Sequence, residues 1–288
     1  MQSSRGKGYE QNQRSVFAGF GQHREGEIGR RKAYLPYVCL GDPDGDFSLR
    51  LMKALQESGA DAIEAGIPFS DTLADGQAIQ GASERALSNG MNVEKALSLI
   101  KKARQTGITI PIIPMTYYNL VYHYGVERFC TALHEAGGDG LILPDVPLEE
   151  SGELVEACRR HSLDFIYLVA PTTTGERLAR ILAQASGSVY VVAVMGTTGA
   201  RSDVSQEAVD TMRRVKALST LPVAIGFGVS KQEHASFYSR AGADGVVEGS
   251  ELVNIYNKFF ENGVSMQAKA AAIEAVSAHA REMKAALK

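Results

Sequence analysis

Little in this chain is basic, membrane-like or rich in thiols. Its 288 residues carry 30 Lys and Arg against 33 Asp and Glu, for a net charge of −3. With no basic excess to neutralise a phosphate backbone, nucleic acid is not an expected partner. No apolar run approaches the roughly 18 residues that would span a bilayer, so no membrane span is expected. Cys39, Cys130 and Cys158 lie far apart, with no C-x-x-C spacing. An odd, sparse count argues for a reducing compartment and against a disulfide framework or a zinc site. The six histidines are scattered singly, with no H-x-x-x-H pair. No His/Asp/Glu cluster offers a metal Lewis acid, so no metal is expected.

What is present is ordinary for a globular chain that buries a full core: 44% hydrophobic and 22% charged residues. The first thirty or so residues differ in texture, being rich in Gln, Gly, Ser and Arg, and they lack the apolar core of a secretory signal. They read as a polar extension over residues 1–30, with a short helix starting near Ser15 and anchored by Val16, Phe17 and Phe20. Organelle import stays open as an alternative, because Arg5, Lys7 and Arg14 face only Glu10 in the first twenty residues. The default expectation is a cytoplasmic protein.

From Tyr34 onward, short apolar runs alternate with longer amphipathic segments. The runs predict eight strands: Tyr34–Leu40, Ala62–Ile67, Ile108–Met115, Gly140–Leu143, Phe165–Ala170, Val189–Val194, Val223–Gly226 and Gly245–Val247. Between them Leu49, Met52 and Leu55 recur at helical spacing before Gly59, as do Val93, Leu97 and Ile100 before Gly107. Leu154, Cys158 and His161 repeat the pattern, and so do Leu178, Ile181 and Leu182; Met266–Lys288 reads as a last, Ala-rich helix. Near-continuous apolar strands indicate a parallel sheet buried on both faces. Eight strand–helix units without a long polar linker predict one closed (β/α)8 barrel over residues 31–288. An open doubly wound sheet is the alternative, but no G-x-G-x-x-G follows the first strand.

In such barrels chemistry sits at the carboxyl ends of the strands. The stretch Ile63–Gly76 carries two carboxylates of unlike surroundings. Glu64 lies inside an apolar strand run, where a carboxylate is costly unless paired or protonated. Pointing into the barrel mouth, it would have a raised pKa and suit acid–base work; the alternative is a strand glutamate facing a helix terminus or an arginine. Asp75 ends a polar loop long enough to fold back over the mouth, so the two carboxyls can hold different protonation states at one pH. Asp71 fits better as an N-cap or turn residue. Gly196-Thr197-Thr198-Gly199, Gly226-Phe227-Gly228-Val229-Ser230 and Gly249-Ser250 follow the last three strands. Glycines admit close backbone approach and helix N-terminal amides bind anions, so three such turns together point to a phosphate site. No lysine lies in or at the end of a strand apart from Lys32 before the first, which removes a Schiff-base nucleophile. What remains is acid–base chemistry on a phosphorylated substrate. Tyr122 and His123 read as surface or interface residues, and Tyr190 as either core filler or an active-site hydroxyl.

Together these motifs resemble the tryptophan synthase alpha subunit family. The Glu64-to-Asp75 segment matches that family's signature almost throughout. Leu40-Gly41-Asp42-Pro43, Tyr117-Tyr118-Asn119, Asp145-Val146-Pro147 and the three glycine turns match in order, over roughly residues 15 to 285. The resemblance implies a lyase that splits indole-3-glycerol phosphate into indole and glyceraldehyde 3-phosphate by a retro-aldol reaction without a cofactor. It implies Glu64 as the group that protonates indole C3 and helps deprotonate the side-chain hydroxyl. Asp75 would hold the indole N–H, and Tyr190 would assist near the reacting centre. Tyr37, Ile79, Met115 and Tyr117 would line the indole pocket. Thr198, Phe227 and the backbone amides of Gly199, Gly228, Gly249 and Ser250 would contact the rest of the substrate, with the phosphate on the amides. It also implies a pyridoxal-phosphate beta subunit as partner in a 2:2 complex. A stand-alone indole-releasing lyase and a partner-activating subunit with weak catalysis are the alternatives. The chain departs from the family pattern at Thr72, where proline is usual, in the loop Val194-Met195-Gly196-Thr197, and at Glu248, where an apolar residue is common.

Overall fold

Short runs of Val, Ile and Tyr form strands here because branched and aromatic side chains pack well on a pleated surface. The computed structural model describes residues 32–72, 74–193 and 204–287. The strands are β1 (Ala33–Cys39), β2 (Ile63–Gly66), β3 (Ile112–Met115), β4 (Gly140–Leu141), β5 (Asp164–Phe165), β6 (Tyr167–Val169), β7 (Val189–Val192), β8 (Val223–Gly226) and β9 (Gly245–Glu248). The helices are α1 (Gly45–Glu57), α2 (Gln77–Ser88), α3 (Val93–Gln105), α4 (Tyr118–Tyr124), α5 (Val126–Ala136) and α6 (Gly152–Arg160). They continue with α7 (Gly175–Leu182), α8 (Gln206–Leu218), α9 (Gln232–Ala241), α10 (Ser250–Asn257) and α11 (Met266–Ala285).

Seven strands run β3-β2-β1-β9-β8-β7-β6, all pairs parallel, and β4-β5 form a separate parallel pair. Two junctions close the ring. The Ile142 N–H donates to the Pro114 carbonyl at 2.9 Å and Thr116 N–H donates to the Ile142 carbonyl at 3.1 Å, joining β3 to the β4 edge. On the other side β5 and β6 are separated only by Ile166, whose N–H donates to Leu141 at 3.0 Å. Counting β5 and β6 as one strand gives eight, and the molecule is a (β/α)8 barrel. Its strand interiors are buried on both faces, which is why the sequence runs are continuous rather than alternating.

Several boundaries differ from expectation for local reasons. The third strand starts at Ile112 rather than Ile108, because Ile108 N–H donates back to Ala103 and closes α3. The fourth shortens to Gly140–Leu141, with Ile142 contributing only a bridge. The first spans Ala33–Cys39 and the last extends to Glu248. The connections β2–β3 and β3–β4 each carry two helices instead of one. Asp71 caps no helix: it lies exposed in a loop, and the N-cap of α2 is Gly76. The anticipated helix near Ser15, the turn Gly196–Gly199 and Val194 lie outside the described residues.

The Leu40–Pro43 loop owes its arrangement to buried charge. Asp42 accepts two hydrogen bonds from the Arg85 guanidinium, at 2.8 and 2.7 Å, and one from the Tyr256 hydroxyl at 2.6 Å. Bidentate Arg–carboxylate geometry is both strong and directional. It ties the first loop to α2 and α10, the two helices that border the barrel mouth beside β1.

Candidate active site

Parallel register puts side chains of neighbouring strands at one level. Tyr37 of β1 pairs with Glu64 of β2, Glu64 with Ile113 of β3, and Tyr190 of β7 with Ala224 of β8. Glu64 thereby faces the barrel axis, on the boundary between a deep cavity of about 240 Å3 and an upper one of about 440 Å3 that opens at the mouth. Tyr37 and Tyr190 both lean two residues along their strands towards the mouth, across Gly66 and Gly226. A methyl group at either glycine would collide with the phenol oxygen. Only glycine at these two positions lets the rings cross.

Asp75 enters from the β2–α2 loop. The Tyr117 hydroxyl donates to its Oδ2 at 2.9 Å and accepts from Ala74 N–H at 3.1 Å, while Gln80 holds the Asp75 carbonyl at 2.8 Å. The loop is thus pinned so that Asp75, only 2% exposed, meets the cavity. Its Oδ1, the Oε2 of Glu64 and the hydroxyl of Ser250 are buried without a hydrogen-bond partner. Unsatisfied buried polar atoms are rare in folded proteins, and three around one cavity describe a place shaped for a polar ligand.

Electrostatics separates the two carboxyls. Burial, with Glu64 4% exposed, and next the neighbouring Asp75 charge push the Glu64 carboxyl up to about 8. Burial raises Asp75 to about 6, opposed by the Tyr117 hydrogen bond, which favours the charged form. Near neutral pH Glu64 keeps its proton and Asp75 has lost its own. Burial, followed by the charges of Glu64 and Asp75, holds the Tyr190 hydroxyl well above its ordinary range, so it stays a phenol.

Opposite the carboxyls, the β8 and β9 ends supply backbone. Phe227 and Gly228 both adopt positive φ, 66° and 100°, turning the chain sharply. The Phe227 ring meets Tyr190 edge-on, with centroids 5.6 Å apart. Gly249 is the N-cap of α10, and Ser250 opens that helix towards the cavity. Free N–H groups at such a terminus attract anions. Among the expected residues, Glu64, Asp75, Tyr190, Tyr37, Ile79 and Met115 share the cavity wall, as do Phe227, Gly228, Gly249 and Ser250. Tyr117 acts through its hydroxyl on Asp75. Thr198 and Gly199 lie outside the described residues. Sequence reading missed Val229, Val247 and Glu251, which also line the cavity. Val247 follows from strand alternation once Glu248 is known to face outward; Glu251 had no signal beyond its place in a helix's first turn. Among the described residues no cluster of His, Cys, Asp and Glu could hold a metal ion, and no helix is long and apolar enough to cross a membrane.

Comparison with known proteins is consistent with this geometry. The family model described as tryptophan synthase alpha chain matches residues 25–288. The tryptophan synthase alpha chain of Methanosarcina acetivorans is 43% identical over 263 residues, covering 91% of each chain. That of Methanothermobacter thermautotrophicus is 46% identical over 223 residues, covering 77% of this chain and 82% of its own. Among solved structures, Mycobacterium tuberculosis tryptophan synthase superposes with a TM-score of 0.79 at 38% identity, over 89% of this chain and 93% of that one. The tryptophan synthase α2β2 complex from Pyrococcus furiosus gives 0.77 at 40% identity, over 85% and 96%.

Proposed function

Because the chain belongs to the tryptophan synthase alpha chain family, we propose that it is a carbon–carbon lyase. Its reaction is the cleavage of indole-3-glycerol phosphate to indole and glyceraldehyde 3-phosphate, a step of L-tryptophan biosynthesis. The observation that carries this reading is the carboxyl pair: Glu64 and Asp75 line one cavity, each with a buried oxygen that has no hydrogen-bond partner, and burial raises Glu64 further than Asp75.

Cleavage needs a proton on indole C3, so that this carbon becomes tetrahedral and positive charge moves to the ring nitrogen. Glu64 supplies that proton. Asp75, held by Tyr117, offers its unpartnered Oδ1 to the indole N–H and stabilises the cation where a fixed charge helps most. The Glu64 carboxylate so formed then takes the proton from the hydroxyl on the adjoining side-chain carbon. The electrons of that O–H bond form the aldehyde, and those of the broken C–C bond return to the ring. Glu64 ends protonated, and no redox or carbonyl-activating cofactor is required. Tyr190 remains a neutral hydroxyl beside the reacting centre. Tyr37, Ile79 and Met115 shape the indole half of the cavity. Thr198, Phe227 and the amides of Gly199, Gly228, Gly249 and Ser250 hold the other half, with the Ser250 hydroxyl on the phosphate.

Replacing Glu64 with Gln keeps size and removes the proton, so indole release should fall by about 100-fold to 10,000-fold with substrate binding retained. Normal turnover in that variant would refute the mechanism. The same proposal includes a beta subunit partner in an α2β2 complex, a cytoplasmic location, and a polar segment over residues 1–30 ahead of a barrel over 31–288. Indole release measured with and without a tryptophan synthase beta subunit tests the partnership. A rise on mixing supports it; full activity alone points to a stand-alone lyase, and none in either to a partner-activating subunit. The departure at Thr72 falls in the β2–α2 loop, so it bears on coupling more than on the chemistry of the carboxyl pair; residues 194–197 lie outside the described residues.

A further inference from the structure

Two of the three cysteines, 28 positions apart in sequence, meet in the helix layer. Cys130 of α5 and Cys158 of α6 bring their sulfurs to 3.9 Å, both essentially buried at 0% and 1% exposure. Cys39 lies elsewhere, in β1. The reaction has no use for this pair, and nothing in the sequence spacing foretold it.

Where the pair sits gives it a consequence. Helices α5 and α6 flank β4 in the chain, and β4 and β5 are two-residue strands paired with each other; β4 meets β3 through one bridge and its neighbouring hydrogen bonds, while β5 runs on through Ile166 into β6. This is the thinnest seam of the barrel. We propose that Cys130 and Cys158 form a reversible disulfide under peroxide, a covalent staple across that seam.

In the first step the Cys130 thiolate attacks one peroxide oxygen; the O–O bond breaks and hydroxide leaves, giving a sulfenic acid on Cys130. The Cys158 sulfur then attacks the Cys130 sulfur, the S–O bond breaks, and the second hydroxide leaves. The two thiol protons end in the two waters formed, and peroxide is the species reduced. Either sulfur can donate in the Cys130–Cys158 contact; with Cys158 donating, the Cys130 thiol is lowered and Cys158 raised, and Cys130 is the sulfur that attacks first. Peroxide is little larger than water. Next to Cys130, near enough to act on it electrostatically, are the exposed Glu127 and Arg160; Glu127 is bonded to Arg160 at 2.5 Å and to His161 at 2.8 Å, contacts that local fluctuation can open. Closing from 3.9 Å to the roughly 2.05 Å of a disulfide needs side-chain rotation and a small approach of two helices.

The test uses the full chain, treated with hydrogen peroxide while folded, then alkylated and mapped by mass spectrometry. The expected result is a Cys130–Cys158 linked peptide with Cys39 still alkylated, and a melting temperature about 5–10 °C higher that dithiothreitol reverses. Cys130→Ser and Cys158→Ser should lack both. The proposal is overturned if the treated wild type keeps both thiols or carries them as sulfinic acids. It is equally overturned if the link forms and the melting temperature does not move.

Discussion

A carboxyl in a dry cavity resists ionisation, and at Glu64 that resistance acts on catalysis and on stability with opposite signs. The folded state raises this group from 4.5 to about 8. Between those values the unfolded chain has released a proton that the folded chain retains, so Glu64 lowers stability progressively as pH rises from 4.5 to 8. Glu64→Gln should therefore gain nothing at pH 4.5 and on the order of 2–4 kcal/mol near pH 8, measured by denaturant unfolding across that window. The same titrations shape activity. The rate constant kcat/KM for indole release should fall below about 6, where Asp75 takes up a proton, and above about 8, where Glu64 loses one. Tyr117→Phe removes the hydrogen bond that favours the Asp75 carboxylate, so the acid limb should move upward while the alkaline limb stays near 8. An acid limb unmoved by that change would assign it to another group. Glu64 was legible in the sequence because a carboxylate inside an apolar run is conspicuous, and Asp75 because it ends a polar loop long enough to fold back over the mouth. The grip of Tyr117 on Asp75 was not, because it joins positions 42 apart across two loops.

At the scale of elements, α11 is the clearest case of a helix whose docking depends on buried polar chemistry. Glu248, fully buried at the end of β9, accepts from the Tyr34 hydroxyl at 2.6 Å and pairs with His279 of α11 at 2.7 Å. Burial pulls the His279 pKa down, but the Glu248 hydrogen bond and charge, with Glu251 and Glu282, raise it overall. A raised histidine contributes stability that is complete below about 6.5 and is lost as pH climbs through its folded value. His279→Ala leaves a buried carboxylate with only a phenol for company. It should cost roughly 3 kcal/mol at pH 6 and less at pH 9, read by urea unfolding at both pH values. A cost independent of pH would show that packing alone is involved. The strands were readable from their apolar runs, and α11 from its alanine-rich periodicity. The paired helices after β2 and β3 were not, because α2 and α4 each bury few large side chains and give a weak periodic signal.

For the molecule as a whole, closure is uneven. The β1–β9, β2–β3 and β7–β8 pairs each register four residues, whereas β4–β5 registers two and β3 meets the β4 edge through one bridge. The eight-fold alternation predicted the closed ring, but not where the ring is thin, since strand length depends on which carbonyls the neighbouring turns have already engaged. Asp42 works at the same scale, drawing the first loop, α2 and α10 together from positions far apart in sequence. The two tyrosines that cross bare strand positions have a consequence of their own. Tyr37 and Tyr190 stand where Gly66 and Gly226 leave a gap in the wall, so the bore between them is cut into the staves and owes nothing to the lids. Every connecting segment could be exchanged and the two phenols would still border the same cavity. A descendant that admits a wider ring system would have to be re-cut in the sheet itself.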